Sequence, residues 1–88
     1  MPSGPTSFPL APNTWTQVEW IVGIPFFTAA WTALGGATVQ WRWFTSVPPF
    51  TWTGSLTGRG CITYGPGLYT SLQMNPGPTP ATVVRSLC

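Results

Sequence analysis

The sequence predicts a mainly β domain: a small sheet or sandwich of about five short strands, with one short helix near residues 25–34. Three observations predict it. Several segments alternate apolar and polar residues with period two, the pattern of a strand buried on one face. Strand-favouring residues dominate, with fourteen Thr and thirteen aromatics in 88 residues. Gly and Pro, 21 residues together, fall mostly as short breaks between these segments. Such a Gly and Pro content borders on that of disordered chains. The aromatic content supplies the burial that disordered chains lack.

The elements follow in chain order. Residues 1–13 carry Pro2, Pro5, Pro9 and Pro12 and read as an extended arm. Phe8 and Leu10 are the side chains such an arm would bury on a neighbouring subunit. Met1–Pro12 has neither the basic nor the apolar region of a secretory signal. Residues 14–74 form the expected β-rich core. In 14–22, Val18, Trp20 and Val22 lie on one side and Gln17 and Glu19 on the other, with Trp15 and Ile21 breaking the polar face, the pattern of a strand covered on both sides. Pro25 stands at a first helical position, Gly35-Gly36 just past an end, and Phe27, Ala30, Trp31 and Leu34 at i, i+3, i+4 and i+7. That combination predicts a helix of about ten residues. In 38–45, Val39, Trp41 and Trp43 share one face opposite Gln40 and Arg42, with Phe44 the exception. In 50–57, Phe50, Trp52, Gly54 and Leu56 alternate with Thr51, Thr53, Ser55 and Thr57. This register puts Trp41, Trp43 and Trp52 on one common face. Weaker strands are expected at 61–64 and 68–74, separated by Gly65-Pro66-Gly67. Residues 75–88 read as a Pro-rich connector (Pro76, Pro78, Pro80) followed by a strand at 82–87.

A single transmembrane helix near 20–41 is the competing reading. Ile21–Val39 has no charge and is flanked by Trp20 on one side and Trp41 and Trp43 on the other. Its mean hydropathy is about 1.5, near the usual threshold for a span. Gly23, Pro25, Gly35 and Gly36 argue against it, as does the alternation that begins at Thr38.

Charge removes most of enzymology. The only formally charged side chains are Glu19, Arg42, Arg59 and Arg85, and there is no His, Lys or Asp. No imidazole base, carboxylate pair or Schiff-base lysine exists, and the Ser and Thr hydroxyls have no base to activate them. Two cysteines without histidine make no zinc site. Gly58-Arg59-Gly60 lacks the spacing of a phosphate loop and reads as a tight turn, with Arg59 as a docking contact at its tip. Three arginines are too few to neutralise a row of phosphates, so nucleic acid is not the expected partner. In Trp41-Arg42-Trp43 the arginine points away from both indoles, which excludes a sandwich around a base. No cofactor is expected.

Two pairings are candidates. A disulfide between Cys61 and Cys88 would close a loop of 28 residues and contribute about 3.5 kcal/mol; two free thiols are the alternative. Glu19 is expected to pair with Arg42 if the chain between them returns one strand beside the other. The expected function is that of a non-enzymatic structural subunit in contact with other protein subunits. A virion capsid or tail component, such as a cement or minor structural protein, or an extracellular filament subunit fits best. The alternative is a small single-pass membrane protein, an accessory subunit or a lysis-type protein.

Overall fold

The computed structural model describes residues 6–24, 26–47 and 49–88. Eight strands account for most of them: β1 (Thr6–Leu10), β2 (Thr16–Ile24), β3 (Phe27–Ala33), β4 (Thr38–Thr45), β5 (Thr51–Thr57), β6 (Arg59–Tyr64), β7 (Gly67–Asn75) and β8 (Ala81–Ser86). They form two four-stranded antiparallel sheets, ordered β1-β8-β3-β6 and β2-β7-β4-β5. Within them β4 pairs with β5, β3 with β6, β2 with β7 and β1 with β8. The four pairs are nested about the β4–β5 hairpin. The chain is therefore one long antiparallel ribbon rolled over itself, closed by the β3–β8 and β4–β7 pairings. This is the wiring of a double-sheet jelly roll.

The expected helix at 25–34 is absent. Pro25 lies outside the described residues, and the rest is β3, followed by a single 3-10 turn at Leu34–Gly36. Phe27, Ala29, Trp31 and Ala33 face inward and Thr28 and Thr32 outward, so the segment satisfies a period of two as well as one of 3.6. Pairing decides between them. As an inner strand, β3 gains ladders to both β6 and β8, which outweighs a weak local preference. Gly35 and Gly36 serve a corner rather than a helix end. Both hold positive φ, near 70°, a region that glycine enters without strain, and turn the chain from one sheet into the other. Among the described residues no helix is long and apolar enough to cross a membrane; the stretch 20–41 is divided among β2, β3, the 3-10 turn and β4.

The arm also differs from expectation. Residues 1–5 lie outside the described part, while Thr6–Leu10 is β1, paired along its length with β8. Leu10 is buried in this chain's own core and Phe8 packs against Trp31, with ring centroids 5.9 Å apart. Leu10 is thus taken up within the chain, while Phe8 is half-buried.

Between the sheets lies one core, in which Trp31, Val39, Leu72, Met74 and Val83 are fully enclosed. The register of β4 and β5 is as the alternation requires: Trp43 sits opposite Trp52 and Trp41 opposite Gly54, while Thr51 and Thr53 lie on the other face and are exposed. Burial is uneven along that shared face, however. Trp43 is buried, Trp41 half-buried and Trp52 61% exposed.

Cys61 and Cys88 are joined in a disulfide. Cys61 lies on β6 and Cys88 just beyond β8, with β3 between these strands. The bridge thus crosses the outer face of β3 at Ala30, which pairs with both Cys61 and Ser86 and is fully buried. Only a small side chain fits there. Reduction, or paired Cys→Ser substitution, is expected to lower stability by about 3.5 kcal/mol, read in urea denaturation as a lower midpoint with a steeper slope, because the unfolded chain without the cross-link exposes more surface.

Candidate functional site

Three places gather the polar and aromatic side chains. The first is a buried ionic cluster that ties the two sheets together. Its origin is a β-bulge in β2, where the register against β7 shifts between Gln17 and Glu19. Val18 is the extra residue, so Val18 and Glu19 both turn inward, and Ile21 faces inward beyond them. Trp20 and Val22 are left outside. Arg85 donates from Nη1 to Glu19 Oε1, and the Tyr64 hydroxyl donates to the same oxygen at 3.1 Å. The side chains of Arg85 and Glu19 are only 12% and 8% exposed.

The expected Glu19–Arg42 pair is thereby corrected. Arg42 points to the outer face, opposite Gln73 and Thr53, while the bulge sends Glu19 to the inner one. The guanidinium of Arg42 stacks 4.1 Å from the centroid of the Trp15 ring, and its Nε donates to Gln73 Oε1 at 2.8 Å. Nearby, the Ser71 hydroxyl donates to Gln17 Oε1 at 2.9 Å. This outer face ends in an apolar group: Trp20 stacks on Tyr69 at 5.7 Å, with Val22 and Phe44 beside them in register.

Within the ionic cluster, the Tyr64 phenol is held far above its ordinary range. Burial is the largest cause; the negative charge of Glu19 and the hydrogen bond to it act in the same direction, and Arg85 opposes them. The sign follows from linkage. The unfolded chain loses this proton near pH 10 while the folded chain keeps it. The stability Tyr64 contributes is complete below that pH and is lost as pH rises above it. Denaturation midpoints should therefore fall between about pH 10 and 11.5, and Tyr64→Phe should flatten that limb.

The third place is a cleft of about 310 Å³ between the edges of β5 and β6, lined by Phe26, Trp41, Trp43, Trp52 and residues of β6. Trp43 and Trp52 stack with centroids 6.3 Å apart and planes 14° from parallel. The Trp41 indole covers Gly54, where an added Cβ would lie 2.3 Å from a ring carbon. Glycine is thus a requirement of this wall. Gly54→Ala is expected to displace the indole and cost about 1–3 kcal/mol, visible as a lower Tm and altered near-ultraviolet circular dichroism.

None of these places forms a catalytic set. The carboxylate is engaged by a tyrosine and an arginine, and among the described residues no three His, Cys, Asp or Glu side chains converge. Arg59 stands exposed at the start of β6, beyond the turn at Gly58. The Glu19–Tyr64–Arg85 cluster was hidden from sequence reasoning, because its one acid changes sides at the bulge. The chain matches no family model, no curated protein and no solved structure.

Proposed function

We propose that the chain is a non-enzymatic structural subunit of a larger assembly: a virion capsid or tail component of the cement or minor structural kind, with an extracellular filament subunit as the close variant. The nested strand pairing carries this reading, because double-sheet jelly rolls are used in viral capsids, lectins and cupins. The fold alone does not choose among them, and the side chains must. Cupin-type chemistry needs convergent metal-ligating side chains, and the chain has no His and one acid, already bonded. A sugar site needs several convergent polar groups. The Trp-lined cleft offers few; the hydroxyl of Thr63 is shared with that of Thr28 at 2.8 Å. A packing role fits what remains: a rigid, disulfide-closed sandwich with few charges and large apolar side chains on its surface.

The test is the chain's location. In particles purified from the native source it should be present at fixed stoichiometry with the other subunits and be protected from protease. Recovery as a free chain, with none in the particles, would overturn the reading.

A further inference from the structure

The four sheet edges of the sandwich are not equivalent. They are β1 and β6 in one sheet and β2 and β5 in the other. A free edge is a row of unpaired N–H and C=O groups that templates another strand, and edges are blunted by proline, charge, bulges or cover. Pro9 interrupts β1. The bulge between Gln17 and Glu19 interrupts β2. On β6, Arg59 is exposed at the first position, and Cys61 carries the bridge to the tail. β5 reads Thr-Trp-Thr-Gly-Ser-Leu-Thr. It has no proline and no charge, and its register against β4 runs unbroken from Thr51 to Thr57.

The direction of its free groups is fixed at both ends. Thr45 N donates to Phe50 O, and Gly58 N donates to Ala37 O. Antiparallel pairs alternate between bonded and non-bonded. Trp52, Gly54 and Leu56 therefore spend their N–H and C=O groups on β4. Thr51, Thr53, Ser55 and Thr57 turn theirs outward, and all four residues are exposed.

We propose that this edge is the docking site for β5 of a second copy, paired antiparallel about a two-fold axis at Gly54. In that register Thr53 faces the partner's Ser55, and Thr51 faces the partner's Thr57. Every outward group of one strand then meets an outward group of the other, so the edge is complementary to itself. A shift of two residues leaves some of these groups without a partner. Gly54 meets its own copy at the axis, where the absence of side chains allows close approach. Trp52, 61% exposed in the single chain, comes to lie beside the partner's Leu56 at a non-bonded position, where side chains are closest. The two outer sheets become one sheet of eight strands, an isologous contact.

A strand of seven residues is about 24 Å long, and such an edge, even with Trp52, covers less than the roughly 800 Å² per partner of a standard interface. Dimerisation of the isolated chain should accordingly be weaker than about 1 μM. The inference stands on the edge geometry and not on the virion reading; the isolated chain tests it without any particle.

The experiment is sedimentation equilibrium of the oxidised chain from about 10 μM to 1 mM, with Trp emission recorded in parallel. The mass should rise from 9.5 kDa towards twice that value, with a blue shift as Trp52 is covered. Ser55→Pro removes an outward N–H that bonds nothing among the described residues, a proline position an edge strand tolerates. Thr53→Lys sets two like charges diagonally across the axis, about 7–8 Å apart. Each should weaken association at least tenfold, whereas Trp20→Ser, on the outer face of β2, should leave it unchanged. If Ser55→Pro does not fold, as judged by circular dichroism, Thr53→Lys decides alone. A wild-type chain that stays monomeric at 1 mM, association unaffected by Thr53→Lys, or loss of association in Trp20→Ser in place of Thr53→Lys would each overturn the proposal.

Discussion

Arg85→Met is expected to destabilise the fold by about 3–5 kcal/mol, because it strands Glu19 as a buried charge between the sheets. The Glu19 side chain is 8% exposed and, once Arg85 is gone, keeps the Tyr64 hydroxyl as its donor among the described residues. A loss of that size rivals the whole stability of a small domain. The mechanism makes a further demand. The ion pair itself adds little over an apolar replacement of similar volume. The triple variant Glu19→Leu, Tyr64→Phe, Arg85→Met, which leaves no orphaned polar group, should therefore recover most of the loss. Restoring only Tyr64 to that triple should cost about 1–3 kcal/mol for its unpaired hydroxyl. Urea midpoints of the four proteins measure all of this. An Arg85→Met variant as stable as wild type at pH 7 would show that Glu19 finds water or another donor.

The β class and the register of β4 and β5 were legible because β5 alternates throughout and β4 does so with Phe44 the one exception, and a period of two leaves no other face for Trp41, Trp43 and Trp52. β3 was not legible. Phe27, Ala30, Trp31 and Leu34 mark a helical face as clearly as Phe27, Ala29, Trp31 and Ala33 mark a strand face, and only the neighbours β6 and β8 distinguish them. β1 was read as part of an arm because Pro2, Pro5, Pro9 and Pro12 favour an extended polyproline-like chain, although an edge strand tolerates Pro9. The Glu19–Arg42 expectation failed on two counts: β7 lies between β2 and β4, so the two strands are not neighbours, and one inserted residue, Val18, moves every later side chain of β2 to the opposite face. The bulge shows in the sequence where Ile21 breaks the polar face of the 14–22 alternation. It also explains why Trp20, expected among the inward residues, stacks on Tyr69 outside.

Alternation fixes which face a side chain is on, but not how far the opposite sheet extends over it. The tryptophans separate these two quantities. Trp31 is fully enclosed on inner strand β3, where Phe8 packs on it. Trp43 is 7% exposed on inner strand β4. Trp52 occupies the same face one strand further out, on the edge, beside a cleft rather than beneath a sheet. Truncation to Ala should cost about 3–5 kcal/mol at Trp31 and at Trp43, since each leaves a cavity that the paired strands on both sides keep from collapsing. Trp31 belongs at the upper end, being the more enclosed. At Trp52 the side chain is already mostly in water, and the principal loss is its stack on Trp43, about 0.5–1.5 kcal/mol. The measurement is chemical denaturation at low micromolar concentration, so that self-association does not add to the stability of wild type. The expected order is Trp31 at or above Trp43, and both far above Trp52. A Trp52→Ala variant as unstable as Trp43→Ala would mean that the cleft is closed in solution, with β6 folded over the edge and Trp52 part of the core.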